Sequence, residues 1–321
     1  MIEVPQSFLT SLIESDTPLD AIWNYLCKNV WVPEPNLTTY FNKNEKKASD
    51  FERFVRDIYF EVYDEIIRKS AKGRPRLKEI MKEDNYALAV CDGLSIREAN
   101  LLVEDLKRNG FVVDEYGYEI SHLPSDTLRF TLDVLGVSAP SALRTSSTWK
   151  DKLVFLDDLS ADYPIPLDDR VLIFSQYPDK EFDHVSTKIG ESLVDIYNKT
   201  STSLLKYLRA VKSEKVIITS DHGYCTKHPG VNWKVPEIEK EIYQEVFGLA
   251  RFKMQSYIFG DMEQKVKEIS EKTNRLRILN ENVIVNGRYI WPVAGDQMRI
   301  FHGGISFMEN FVPLIIAHQE G

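Results

Sequence analysis

From residue 86 onward, short apolar runs alternate with longer amphipathic stretches, and this alternation limits the possible folds more than any other feature of the chain. The runs are YALAVC (86–91), FVVDEYGYEI (111–120), KLVFL (152–156), RVLIFS (170–175), KVIIT (215–219) and ENVIVNGRYIW (281–291). They are short and rich in β-branched and aromatic residues, which favours strands over helices. Between several of them lie SIREANLLVEDLKRNG and STKIGESLVDIYNKTSTSLLKYLRAV, whose apolar residues recur at helical spacing. Strand–helix alternation of this kind predicts an α/β fold with a mostly parallel central sheet. In such sheets ligands bind where the strands end at their carboxyl edge, so the residues just after each run are the first to examine.

Residues 1–80 read mainly as helix. Ser49-Asp50 offers a start for FERFVRDIYFEVYDEIIRKSAK, in which apolar residues follow helical spacing. Nothing in this region looks like chemistry, so it is expected to be a packing or partner-binding helical region preceding a core that spans 81–321. Residues 225–280 interrupt the alternation with His228-Pro229-Gly230 and two charged stretches, PEIEKEIYQEVFGLARFKMQSYIF and MEQKVKEISEKTNRLR, read as helical. We expect an insertion here, packed over or beside the site.

Composition removes several function classes. The formal net charge of −9 weighs against a broad surface for nucleic-acid backbones and is compatible with a carboxylate-rich metal site. The three cysteines, Cys27, Cys91 and Cys225, form no CxxC pair, so neither a cysteine zinc site nor a disulfide framework is expected, and a reducing, cytoplasmic location follows. The first residues lack a basic segment followed by a long apolar one, and no apolar stretch reaches about 18 residues. No signal peptide and no membrane partner are expected.

Four strand ends or their following turns carry possible metal ligands: Asp92 with Gly93; Asp221-His222-Gly223; His302-Gly303-Gly304; and Asp179 with His184. Each alone reads equally well as a turn residue, a helix cap or a surface histidine. Together, hard oxygen donors and imidazoles at one sheet edge are what zinc, manganese or magnesium sites are made from. Two cations need about six or seven protein ligands, and Asp92, Asp179, His184, Asp221, His222 and His302 supply six.

The segment EISHLPSDTLRFTLDVLG (119–136) offers a candidate nucleophile: Thr127 opens what reads as a helix, where free backbone N–H groups favour an anionic phosphoryl group. The same Ser, Asp and Thr would also serve as ordinary helix caps.

In this order, Asp92-Gly93, Pro124-Ser125-x-Thr127, Asp179 with His184, Ser220-Asp221-His222-Gly223-Tyr224 and His302-Gly303-Gly304-x-Ser306-x-x-Glu309 resemble the alkaline phosphatase superfamily. The ending NGRYIWPV…HGGISFMENFVPLIIA resembles its PglZ branch, and the resemblance covers roughly residues 84–318. It implies a three-layer αβα sandwich and two divalent metal ions, zinc or manganese. One site is built from Asp92, Thr127, Asp221 and His222, the other from Asp179, His184 and His302. It also implies that a metal-activated Thr127 attacks phosphorus, with the phosphothreonine then hydrolysed. Similar enzymes space the second-site Asp and His four residues apart. Here Asp183 occupies that position and His184 follows one residue later, so Asp183 is an alternative ligand.

Ser95 and Ser125 are the fallback nucleophiles. Arg97 and Arg129, near the two active loops, are candidate phosphate contacts, and His228 is not expected to bind metal. The implied activity is a phosphodiesterase or phosphatase acting on a nucleotide or oligonucleotide, with protein partners in a phage-defence or signalling complex. The competing reading is a non-catalytic scaffold module of such a complex, against which stands the near-complete ligand set. Sulfate ester hydrolysis is disfavoured because 119–136 contains no cysteine, and nothing points to the sugar phosphate that mutase chemistry would need.

Overall fold

The computed structural model describes residues 4–228 and 230–320; residues 1–3, Pro229 of the His228-Pro229-Gly230 turn, and Gly321 lie outside the described residues. The N-terminal region folds as α1 (Gln6–Glu14), α2 (Pro18–Tyr25), α3 (Leu37–Ile58), α4 (Val62–Ser70) and α5 (Pro75–Ile80). The helix expected to start at Ser49-Asp50 starts earlier, because the Asn36 side chain accepts a hydrogen bond from Thr39 N at 2.9 Å and caps α3 there. Ser49 and Asp50 sit inside that helix, Ser49 donating to the Val231 carbonyl and Asp50 pairing with Lys46 at 2.7 Å.

The alternating segments then follow as β1 (Tyr86–Cys91), α6 (Ile96–Arg108), β2 (Phe111–Ile120), α7 (Thr127–Val134), β3 (Leu153–Leu156), β4 (Arg170–Ser175), α8 (Ile189–Ala210) and β5 (Lys215–Thr219). The interruption runs past its expected end at 280 as far as Phe301, and holds short strands and two helices: β6 (Cys225–Thr226), β7 (Trp233–Lys234), α9 (Lys240–Phe247), β8 (Phe252–Met254), α10 (Asp261–Thr273), β9 (Leu276–Leu279), β10 (Asn282–Val285), β11 (Tyr289–Ile290) and β12 (Ile300–Phe301). The chain closes with α11 (Phe307–Asn310) and β13 (Phe311–Gln319).

The central sheet has six strands in the order β2-β13-β5-β1-β4-β3. β3, β4, β1 and β5 pair in parallel, and β13 runs antiparallel between β5 and β2. The structure departs from the sequence pattern in two places. The run at 281–291 is not a central strand: β10 pairs with β8 and β9 in a separate antiparallel sheet. Its place is taken by β13, a run of apolar residues buried from Phe311 to Ala317. The expected long helix over 236–259 is also shorter: α9 ends at Phe247, before the edge strand β8.

Every residue of β1 is buried, and its alternate side chains enter different clusters, as period-two strands covered on both faces require. Ala87, Ala89 and Cys91 pack with Leu102 of α6 and Leu204 and Leu208 of α8. Leu88 and Val90 pack with Ile80 of α5 and Phe130 of α7. A further cluster joins Trp23, Tyr40 and Phe51 of the N-terminal helices to Ile96, Phe307 and Phe311. Among the described residues no helix is long and apolar enough to cross a membrane, and the three cysteines are free thiols.

A buried ion network fixes the N-terminal helices to the rest. Glu45 of α3 pairs with Arg97 of α6 at 2.7 Å and with Arg288 from the insertion, all three being almost fully buried. Burial alone would push the Glu45 carboxyl up from its ordinary 4.5. The guanidinium charges of Arg97 and Arg288 outweigh that and bring it down to about 2. Glu45→Ala leaves two buried guanidinium groups without their shared partner and is expected to cost roughly 3–5 kcal/mol at neutral pH, measured by chemical denaturation. Because the folded pKa lies below the unfolded one, the contribution is present above pH 4.5 and fades as pH falls toward about 2. The stability gap between wild type and variant should therefore narrow over that range.

Candidate metal centre

The site grows from the carboxyl ends of β1, β4 and β5. Asp92 directly follows β1, and its N–H donates to the Ser175 carbonyl at 2.9 Å, so the chain tracks β4 for one more residue before turning. The turn needs Gly93: its φ is +77°, and a Cβ there would lie 3.1 Å from the Asp179 Cβ. Asp179 N in turn donates to the Asp92 carbonyl at 3.0 Å. Asp221 stands one residue beyond the Ser220 that follows β5. Its Oδ1 accepts from Gly93 N at 3.1 Å and from His222 N at 2.9 Å, while Oδ2 is buried without a hydrogen-bond partner among the described residues. A buried carboxylate oxygen left in that state costs about 1–3 kcal/mol or more, which a cation beside it would offset.

The two histidines are oriented by the nitrogen that faces away from the carboxylates. His222 Nδ1 lies 3.0 Å from the Gly223 carbonyl, which leaves Nε2 at 3.5 Å from Asp92 Oδ1 and 3.7 Å from Asp221 Oδ2. His302 Nδ1 lies 3.1 Å from the Ser125 carbonyl, which leaves Nε2 at 3.7 Å from Asp179 Oδ1. A carbonyl on the far ring nitrogen is the usual device for aiming a ligating imidazole. The two rings stack at 4.0 Å with 12° between their planes. His302 enters through a turn that only glycine permits: Gly303 has φ +101°, and a Cβ there would meet the Phe252 ring at 2.9 Å. Glu309 ties the turn down, accepting from Gly304 N at 2.8 Å and from Arg251 Nε at 3.0 Å.

Two overlapping groups of donors result, Asp92 with Asp221 and His222, and Asp179 with His222 and His302, each within 4.8 Å of one another. Three carboxylates and two imidazoles suit a hard or borderline divalent cation. Thr127, the first residue of α7, donates from Oγ1 to Asp92 Oδ1 at 3.2 Å and stands 3.5 Å from His222 Nε2. Its helix is capped by Asp126, whose Oδ1 accepts from Arg129 N at 2.9 Å.

The remaining expected residues divide. His184 joins neither donor group and is exposed. Asp179–His184 is a 3₁₀ turn, in which residues three apart share a face. Asp179 therefore shares its face with the buried Phe182, and His184 is rotated off it. Asp183 lies beside Asp179 and His302 along a groove. Arg97 is not available to substrate. It is fully buried, with Nε on Glu45 at 2.7 Å and Nη1 on the Tyr224 carbonyl at 2.9 Å, and it lies over the Trp31 and Tyr224 rings.

Arg129 is exposed, on the first turn of the helix that presents Thr127. Ser95 is spent in a capping box with Glu98, and Ser125 bridges the Gly304 carbonyl and Gly303 N. His228 has both nitrogens occupied, by Asn42 at 2.9 Å and Thr226 at 3.1 Å. Arg74 stands outside any motif, so nothing in the chain's pattern signals its role. This buried residue donates from Nη1 to the Ser220 carbonyl at 2.8 Å and from Nε to Glu119 at 2.9 Å, pinning the loop that carries Asp221.

No protein-family model matches the chain, and no curated protein matches it. Among solved structures it is similar to phosphonoacetate hydrolase from Sinorhizobium meliloti 1021, in crystal structures with phosphonoformate and with phosphonoacetate. Each is 12% identical with a TM-score of 0.41, and the match covers 72% of this chain and 89% of the other. A likeness this distant leaves the chemistry to be read from the side chains.

The electrostatics set a pH dependence for metal binding. Burial pushes the Asp92 carboxyl well above its ordinary value, and the charges of Asp221 and Asp179 push it further. Burial would lower His222, but the charges of Asp221 and Asp179 outweigh it and raise it. Without metal both groups therefore keep their protons to higher pH than such groups ordinarily do, and a cation competes with those protons. Calorimetric titration with zinc or manganese should show proton release, with affinity rising as pH increases; Asp92→Asn should flatten that dependence.

Proposed function

We propose that this chain is a metal-dependent phosphoester hydrolase in which Thr127 is the nucleophile. The observation that carries the reading is the position of the Thr127 hydroxyl, at a helix N-terminus and within 3.2 Å of Asp92 Oδ1 and 3.5 Å of His222 Nε2. Asp92, Asp221 and His222 would hold one cation, and Asp179 and His302 a second, with Asp183 the neighbouring carboxylate. Divalent cations bound there, zinc or manganese, supply Lewis acidity and charge neutralisation to a phosphoryl group and its neighbouring hydroxyl.

The chain's own residues do the rest. Asp92 Oδ1 accepts the Thr127 hydrogen bond and so orients Oγ1. A new Oγ1–P bond forms as the ester P–O bond breaks, and the hydroxyl proton ends on the departing alcohol. Water then cleaves the phosphothreonine and releases phosphate or a phosphomonoester. The first turn of α7 favours the anionic phosphoryl group, and Arg129 is the exposed guanidinium nearest in sequence to Thr127.

The finer reading is a phosphodiesterase for a nucleotide or oligonucleotide, in a cytoplasmic phage-defence or signalling complex. Its support is the resemblance of SDHGY and HGGISFMENFVPL to PglZ domains, whose three-layer αβα core the helix-covered sheet also fits. The donor set tells against the scaffold alternative, since five donors from four separate loops gather in two overlapping groups, and the Thr127 hydroxyl lies within 3.5 Å of two of them.

The test is hydrolysis of bis-p-nitrophenyl phosphate and p-nitrophenyl phosphate by metal-stripped protein with zinc or manganese added back. Activity should return with metal and fall by roughly 10³-fold or more in Thr127→Ala and in Asp221→Ala. Metal-restored activity that survives Thr127→Ala would remove the nucleophile assignment, and binding of metal without turnover of either ester would favour the scaffold.

A further inference from the structure

A groove of about 490 Å³ begins at Asp179 and His302 and runs along the insertion. Its walls are apolar: Leu249, Phe252, Met298, Ile300 and Phe301. Phe252 lies directly over the Gly303 turn that carries His302, so the apolar wall starts at the donor cluster itself. Leu249 is 41% exposed and faces the groove with no core role to explain it.

The charges along the groove matter as much. Two cations line it, Arg251 and Lys180. The Arg251 guanidinium is spent on Glu309 and on the Tyr289 and Gly287 carbonyls. Lys180 turns its ammonium to the Asp157 carbonyl. Asp183 adds a carboxylate to the same groove. A second phosphate lying there would meet the Asp183 carboxylate, which offsets the Lys180 ammonium, and an Arg251 already neutralised by Glu309, whereas an uncharged ring would bury apolar surface against the walls.

We propose that this groove holds the ester substituent of the substrate and selects an uncharged aromatic group, of which a nucleobase is one kind, over a further anionic phosphate. The proposal rests on the phosphoester reading above. It places specificity on the insertion, whereas the chemistry resides on the sheet edge. The insertion then acts as the wall that distinguishes one phosphoester from another.

The experiment measures binding without turnover. Metal-loaded Thr127→Ala protein is titrated with 2-naphthyl phosphate, followed by its fluorescence, and with glycerol 2-phosphate and 1,3-propanediol bisphosphate as competitors. The naphthyl ester should bind at least about tenfold tighter than either competitor. Phe252→Ser and, separately, Leu249→Asp should each remove most of that preference, with the glycerol ester's Kd moving less than about twofold. Leu249 is at the surface, so its replacement keeps the test valid if Phe252→Ser disturbs the His302 turn. Equal affinities for the naphthyl and glycerol esters, tightest binding by the bisphosphate, or a preference untouched by both variants would overturn the groove assignment while leaving the phosphoester reading in place. If no phosphate ester binds, both fall together.

Discussion

Three carboxylates, Asp92, Asp179 and Asp221, converge at the ends of parallel strands, and the rest of the molecule is arranged around that crowding of like charge. Backbone hydrogen bonds lock the arrangement: Asp92 N to the Ser175 carbonyl at 2.9 Å, Asp179 N to the Asp92 carbonyl at 3.0 Å, and Gly93 N to Asp221 Oδ1 at 3.1 Å. Such a cluster repels itself in a buried setting. It becomes favourable only with positive charge in its midst, and the nearby imidazoles present their ring nitrogens where a cation would take them. Gly93 and Gly303 allow the close approach, and Glu309 holds the second turn.

The large cations nearest the core serve the scaffold. Arg74 pins the Asp221 loop, Arg97 and Arg288 share Glu45, and Arg251 is committed to Glu309. None of these four guanidinium groups remains for a substrate. In the proposed phosphoester reading, the negative charge of the phosphoryl group falls to bound metal, to the first turn of α7 and to Arg129. This division explains how the N-terminal helices and the insertion, which contribute no residue to the two donor groups, still belong to the working structure: they hold the loops that do.

Much of this was legible in the residues. Strand-end Asp92 and Asp221-His222, and the Thr127 helix start, appear where the period-two runs stop, because a parallel sheet delivers its loops to one edge. His302, distant in sequence, was legible only through the Gly303-Gly304 turn that follows it. What sequence could not supply were facts set by tertiary contact. His184 reads like a ligand, but the 3₁₀ turn directs it to solvent. Arg97 reads as a phosphate contact, yet Glu45, over 50 residues away, captures it inside the core. The strand at 281–291 has the right pattern, but β9 and β8 claim it, and β13 fills the central place between β5 and β2. Periodicity marks a strand without naming its partner.

Anomalous scattering from crystals grown with zinc or manganese would decide whether these five donors hold metal beside Thr127. One peak is expected bounded by Asp92, Asp221 and His222 with Thr127 Oγ1 adjacent, and a second between Asp179 and His302. Crystals in which all five side chains are ordered as described but no anomalous density lies among them would contradict that reading.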